Sequence, residues 1–240
     1  MNNNGLVIWE GESLIDGSSI VLLMTGLIYS TNRKTGNQLQ TWIMRSDIHP
    51  IEAVKTGDDE SICGSCSRRG QGKNTDTGIR TCYVAVHQSP TQVWRTYKNN
   101  DYARYNESYN PFLNRRSLRM GSYGDPAAVP IEVWKNLIDV TYGHTGFTSQ
   151  WRDEYAKPLK GLVQASCNSV EDMELAKSMG WKTYTSLPVG HPKVKGLLEC
   201  RFKSSDGTIK CEQCMLCDGT KSHIMIEDHG IRFKQRIYRS

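Results

Sequence analysis

Apolar residues in the first fifty positions fall into short runs, "GLVIW" (5–9), "SIVLLMTGLIYS" (19–30) and "LQTWIMRSD" (39–47). Each run is bounded by Gly-, Asn- or Lys-containing stretches and is too short for a stable helix, so the pattern predicts three strands. Residues 58–80 then break the pattern. The stretch is polar, rich in glycine and without periodicity, and it reads as an insertion that something must pin. "TCYVAVH" (81–87) predicts another strand. Ser89-Pro90 sets an N-cap before a proline at the first helical position, which predicts a helix to about Tyr105.

Beyond residue 116 strands and helices alternate. "SLRMGSYG" (117–124) predicts a strand, and "DPAAVPIEVWKNLIDVTYG" (125–143) a helix opened by Asp125-Pro126 and closed by Gly143. "HTGFTSQW" (144–151) and "LKGLVQASC" (159–167) predict strands. "SVEDMELAKSMG" predicts a helix, with Ser169 and Asp172 as a capping-box-like start and Gly180 as the stop. "WKTYTSLP" (181–188) and "SHIMIED" (222–228) predict two more strands. Such alternation points to parallel pairing. The expected fold is therefore α/β, a compact or incomplete (β/α) barrel with parallel strands and cysteine-bound metal, in a single domain over 1–240. An open α/β sheet is the alternative.

Composition narrows the class. A 240-residue chain with 38% hydrophobic and 23% charged residues fits an ordinary globular domain. No window approaches the roughly 18 apolar residues of a membrane span, so no membrane partner is expected. The start "MNNNGLVIWEGE" lacks the basic-then-apolar signature of a secretory signal, which leads to the expectation of a cytoplasmic protein. In that compartment eight cysteines point to thiolate ligands rather than disulfides.

The spacing sorts the cysteines into two groups. Cys200, Cys211, Cys214 and Cys217 fall within one short segment, 200–217, and form a complete four-thiolate set. Cys63, Cys66 and Cys82 flank the glycine-rich insertion and need a fourth ligand, for which Cys167 or His87 is a candidate. Zinc and iron–sulfur clusters both use four thiolates, and zinc is favoured as a closed structural site.

Net charge is only +5, but the cations are clustered. Arg95, Lys98, Arg104, Arg115, Arg116 and Arg119 are interleaved with Tyr97, Tyr102, Tyr105 and Tyr109, and the C-terminal "IRFKQRIYRS" repeats the mixture. Cations track phosphates and aromatic rings stack on bases, so these segments are candidates for nucleic-acid contact. Parallel α/β folds bind ligands at the C-terminal ends of their strands. Those ends carry Gly121, Ser122, Tyr123, Gly124 and Asp125; Gln150 and Trp151; Ser166, Cys167 and Asn168; and Glu227, Asp228 and His229. Asp125 is a candidate nucleophile or base as well as an N-cap. Asp228 and His229 are a candidate acid/base pair, and the amides, hydroxyls, glycines and rings are candidates for substrate binding.

"CGSC…CYV", "LRMGSYGDPAAVP", "TGFTSQW", "ASCNSVEDMELAKSMGWKTY" and "CEQCMLCDG" together resemble small cysteine-rich bacteriophage proteins over roughly residues 60–230. The set is similar to reduced relatives of the tRNA-guanine transglycosylases, which phages use to exchange guanine in their DNA for a 7-deazaguanine base. The resemblance implies a (β/α) barrel, a structural zinc, aspartates as nucleophile and base, and DNA and a small modified base as partners in the infected bacterial cell. The resemblance makes Asp125 the residue best placed for one of those aspartate roles. The chain departs from that family in its cysteine spacing, in lacking the longer glycine-rich substrate motif, and in its second cysteine group. Alternatives are a non-catalytic, metal-stabilised module binding DNA or a host protein, an iron–sulfur redox or radical enzyme, and a replication initiator. The initiator would need a His-hydrophobic-His pair, and the sequence has none.

Overall fold

A computed structural model describes residues 4–30, 32–70 and 80–228. The three opening strands form as the pattern predicts: β1 (Gly5–Glu12), β2 (Ser19–Thr25) and β3 (Leu39–Arg45), paired antiparallel in order. The middle run stops at Thr25, because Gly26 turns the chain with φ of 94°. Two short helices follow, α1 (Pro50–Thr56) and α2 (Glu60–Cys63), and then α3 (Ser89–Lys98). A two-residue strand β4 (Ala103–Arg104) pairs with β1, and α4 (Asn110–Leu113) leads into the parallel half.

That half runs β5 (Ser117–Tyr123), α5 (Ile131–Asp139), β6 (Gly143–Thr148), β7 (Gln164–Cys167), α6 (Val170–Ser178) and β8 (Thr183–Leu187). It ends with β9 (Leu198–Glu199), α7 (Arg201–Ser204), α8 (Cys211–Cys214) and β10 (Ile224–Glu227). The sheet order is β4-β1-β2-β3-β5-β6-β7-β8-β10-β9, and every pair from β3 to β9 is parallel. The α/β class expected from sequence is thus observed as a mostly parallel ten-stranded sheet. Among the described residues it ends at β4 on one side and β9 on the other, with no ladder closing it.

Three predicted elements differ. Residues 81–87 form no strand; Thr81 and Cys82 instead donate their backbone N–H groups to Arg68 O of the cysteine loop, at 3.1 and 2.9 Å. The helix at Ser89 ends at Lys98 rather than near Tyr105, whose N–H donates to Val7 O at 2.9 Å beside β4. The helix expected from Asp125 to Gly143 is split into a 3-10 turn, Pro126–Ala128, and α5. Pro130 disfavours the helical region for Val129, which is extended at φ −110°, ψ 138°. Gly143 begins β6 rather than closing a helix. By contrast Ser169 caps α6 as predicted, accepting from Asp172 N at 3.0 Å.

Strand alternation gives the parallel sheet two unlike faces. One presents Leu39, Leu118, Met120, Thr148, Ala165 and Cys167 to the main core, where Trp134 and Trp151 are also buried. The paired registers put Gln40, Arg119, Thr145, Phe147, Ser166, Tyr184 and Ser186 on the other face. That polar face is covered by the 200–219 segment and by residues 83–90, and between them lies a cleft. No helix among the described residues is long and apolar enough to cross a membrane.

Candidate functional site

The cleft has two chambers. The larger, of about 310 Å³, is lined by Trp42, Arg119, Phe147 and Tyr184 of the sheet and by all four C-terminal cysteines. The smaller, of about 130 Å³, is lined by Cys63, Cys66, Cys82, Asp125, Ser149 and Ser166 at the strand ends. Arg119, Ser122, Phe147, Tyr184, Tyr83 and Val84 border both, so the chambers meet over the same strands. The structure therefore places the two cysteine groups at two ends of one cleft.

Backbone bonds hold the C-terminal knuckle against the sheet. Cys211 N donates to Lys34 O at 3.0 Å, Gly146 N to Cys217 O at 3.0 Å, and Cys200 N to Met225 O at 2.9 Å. Glu212 accepts from Asn37 N at 2.7 Å. Burial pushes the Cys211 and Cys217 thiols up, as do their thiol neighbours, while Arg119 opposes the shift. Burial likewise raises Cys63 and Cys66, with Cys82 adding to both.

Cys167 belongs to neither group. It follows Ser166 in β7 and so faces the opposite side, where it is fully buried near Asp172 and Arg152 with its thiol pushed up to about 12, chiefly by desolvation. His87 is exposed beside α3. The three N-terminal thiols thus gain no fourth ligand from Cys167. Both groups are thiol-only, the donor chemistry of zinc and iron–sulfur sites, which fits such a metal. As they stand, no three Cys, His, Asp or Glu side chains among the described residues are arranged to hold a metal ion.

The loop carrying Cys63 and Cys66 is pinned, as its composition requires. Gln150, fully buried, donates from Nε2 to Cys63 O at 2.8 Å and accepts at Oε1 from Ser65 N and Ser65 Oγ at 3.0 and 2.9 Å. Asp59 lies between Arg69, which donates to Oδ1 from Nε and an η nitrogen at 3.1 and 2.7 Å, and Arg80, which donates to Oδ2 at 3.1 Å. Arg68 donates to Asp228 Oδ1 at 2.7 Å and to Asn168 Oδ1 at 3.1 Å, tying the same loop to β7 and β10.

Asp125 does act as the N-cap: Oδ1 accepts from Ala127 N at 3.0 Å. Oδ2 accepts from Ser149 N at 2.6 Å and Gln150 Nε2 at 3.4 Å. Burial raises its pKa, and the bonds from Ala127, Thr148, Ser149 and Gln150 work against that rise. A carboxylate offers about four lone-pair sites, and these four donors take up that number while the side chain borders the small chamber. In "GSYGDP" the glycines answer their own backbone rather than a ligand. Gly124 has φ of 80°, and a Cβ there would stand 2.6 Å from Ile43 Cβ.

The other predicted residues separate. Gly121, Ser122, Tyr123, Gly124 and Ser166 line the small chamber with Asp125. Gln150 and Asn168 are occupied by the cysteine loop, and Trp151 is a core residue whose Nε1 donates to Ser166 O at 3.1 Å. Asp228 is buried and accepts from Arg68 and Ser186; His229 and the C-terminal cations lie outside the described residues.

Of the predicted nucleic-acid contacts, Arg119 is in the cleft. Arg95, Lys98, Arg104 and Arg115 are exposed, with Arg104 ion-paired to Glu10. Arg116 is buried and donates to Asn37 O and Leu27 O, and its pKa is lowered by desolvation, so it holds loops together. The sequence reading missed Lys34, Trp42, Tyr83, Phe147 and Tyr184. The signal for Phe147 and Tyr184 was the period-2 alternation in "HTGFTSQW" and "WKTYTSLP", which places Thr145, Phe147, Tyr184 and Ser186 on one face. No family model matches the chain, and no curated protein or solved structure matches it.

Proposed function

We propose that the protein is a phage-encoded nucleic-acid-modifying enzyme that exchanges guanine in DNA for a 7-deazaguanine base in the cytoplasm of an infected bacterium. The observation that carries this reading is the position of Asp125, a buried carboxylate at the C-terminal end of β5 that opens into a cleft lined with aromatic rings. The neighbour-to-neighbour order of β5, β6, β7 and β8 supports an incomplete (β/α) barrel, and the strand-end rim is where such folds act.

In the exchange the Asp125 carboxylate attacks C1′ of a flipped nucleotide as the bond to guanine N9 breaks and the departing base takes up a proton. The incoming base, losing its own N9 proton, then displaces the carboxylate. Exposed Arg95, Lys98, Arg104 and Arg115 are the side chains for the phosphate backbone. Cys200, Cys211, Cys214 and Cys217 are the ligands for a zinc ion, or alternatively an iron–sulfur cluster, that would brace the knuckle over the sheet. Metal analysis and visible absorption separate the two, since a zinc protein is colourless.

The test is mass spectrometry of nucleosides from DNA incubated with the protein and a labelled base. Asp125→Ala should abolish exchange with metal content unchanged. Asp125→Asn, which keeps an oxygen for the Ala127 cap, should abolish it too. Exchange at wild-type rate in either variant overturns the assignment.

A further inference from the structure

The large chamber carries a charge pattern that base stacking alone does not explain. Lys34, Arg119 and Arg201 all line it, and no Asp or Glu does. Arg119 sits over the Phe147 ring at 4.3 Å, and among the described residues its guanidinium has no hydrogen-bond or carboxylate partner. Lys34 Nζ lies 3.4 Å from Tyr184 Oη and likewise has no carboxylate partner among the described residues. Arg201 is exposed at the mouth. Several cations elsewhere are paired with carboxylates: Arg45 with Asp47, Arg69 and Arg80 with Asp59, Arg68 with Asp228, and Arg152 with Asp172.

Cations without a carboxylate partner in a partly closed cavity attract an anion, whether the Cys211 thiolate that Arg119 and Lys34 already favour or a ligand, and a guanidinium offers a fork of donors suited to phosphate oxygens. The walls next to them are rings. Phe147 and Tyr184 lie with centroids 4.2 Å apart and planes tilted by 31°, and Trp42, Tyr83 and Phe202 complete the lining. We infer that this chamber binds a nucleoside monophosphate unit, with the phosphate on Arg119 and Lys34 and the base among the aromatic rings. The volume of about 310 Å³ lies at the lower end for small-ligand sites, which suits one nucleotide rather than a longer stretch of chain. The inference deepens the proposed function, resting on its reading that a base enters this cleft, and adds that the ligand is recognised by its charge.

Calorimetry on the full-length, metal-loaded protein tests it with dGMP, with the uncharged nucleoside deoxyguanosine, and with a short single-stranded DNA. The dGMP should bind at least about tenfold more tightly than deoxyguanosine, the scale of one charge-assisted hydrogen bond or more. Arg119→Gln should erase that difference and Arg119→Lys should restore part of it, with metal content the same in all three proteins. Binding of dGMP identifies a free nucleotide as the source of the phosphate; binding of the oligonucleotide alone identifies a residue of the strand. Measurable and equal affinity for dGMP and deoxyguanosine, no binding of any of the three ligands, full affinity for the bound ligand in Arg119→Gln, or loss of affinity only together with the metal overturns the inference. The two proposals fail separately. Asp125→Asn should keep dGMP binding while losing exchange, and charge-selective dGMP binding by a wild-type protein without exchange would sink the enzyme reading alone.

Discussion

Asp59→Asn should unfold the protein's cysteine loop more effectively than any surface substitution nearby. The Asp59 side chain is 2% exposed and lies between Arg69 at 3% and Arg80 at 8%. Its two oxygens accept three guanidinium N–H bonds, and an amide would keep one acceptor and no charge. Arg69 retains the Gly57 and Gly64 carbonyls and a 3.3 Å contact to the half-exposed Glu60. Among the described residues Arg80 has one buried η nitrogen without a partner. Removing one member of a buried ion pair typically costs about 3–5 kcal/mol, because the charge left behind is neither solvated nor paired. For a chain of this length that corresponds to a fall in melting midpoint of roughly 6–20 °C.

Urea denaturation followed by fluorescence gives the free-energy change directly. Reaction of Cys63, Cys66 and Cys82 with a disulfide reagent should speed up in parallel, because the network pins their loop. Asp59→Ala combined with Arg80→Met should cost less than the sum of the single changes, since the second removes one stranded charge. A loss below about 1 kcal/mol for Asp59→Asn, or strict additivity of the pair, would refute the reasoning.

Two further outcomes follow from the same geometry. Burial lowers the pKa of His144, and it also lowers those of His49 and His223. A group depressed on folding gives stability that is present above its unfolded value of about 6.5 and lost as pH falls through the folded value. The urea midpoint should therefore drop between about pH 7 and pH 5, and less so in His144→Asn. Asp125, raised by burial, acts in the opposite sense, so the difference between the two proteins isolates the histidine; identical curves would show that it stays uncoupled from folding. Gly124→Ala should cost at least about 2 kcal/mol, combining the left-handed backbone with a clash against the Ile43 backbone oxygen at 2.8 Å. A midpoint within error of wild type would show that the β5 turn relaxes freely.

Much of the chain was legible locally. Short apolar runs between turn residues located β1, β2, β3, β5, β6, β7, β8 and β10, because burying a strand face needs a period that the residues themselves display. Ser169 announced α6 and Asp125 announced a cap, since both satisfy N–H groups within three residues of themselves. The errors came where a distant partner wins. Residues 81–87 have the composition of a strand but give their N–H groups to Arg68, and Gly143 looks like a helix stop but starts β6.

The chain's own chemistry determined the α/β class, the two cysteine groups and the presence of cationic, aromatic segments, because these depend on residue type and near-neighbour spacing. Tertiary structure decided what each is for. Cys167 is turned away from the small chamber, which its neighbour Ser166 lines, by the pleat of β7, which sends alternate side chains to opposite faces. Arg116 and Arg119 look alike in sequence, yet one is spent on backbone carbonyls and the other lies on the Phe147 ring in a cavity, without a carboxylate partner among the described residues. The alternating polar positions of β6 and β8 would ordinarily face water. Here they form the floor of a cleft, because the 200–219 knuckle folds back over them from far along the chain.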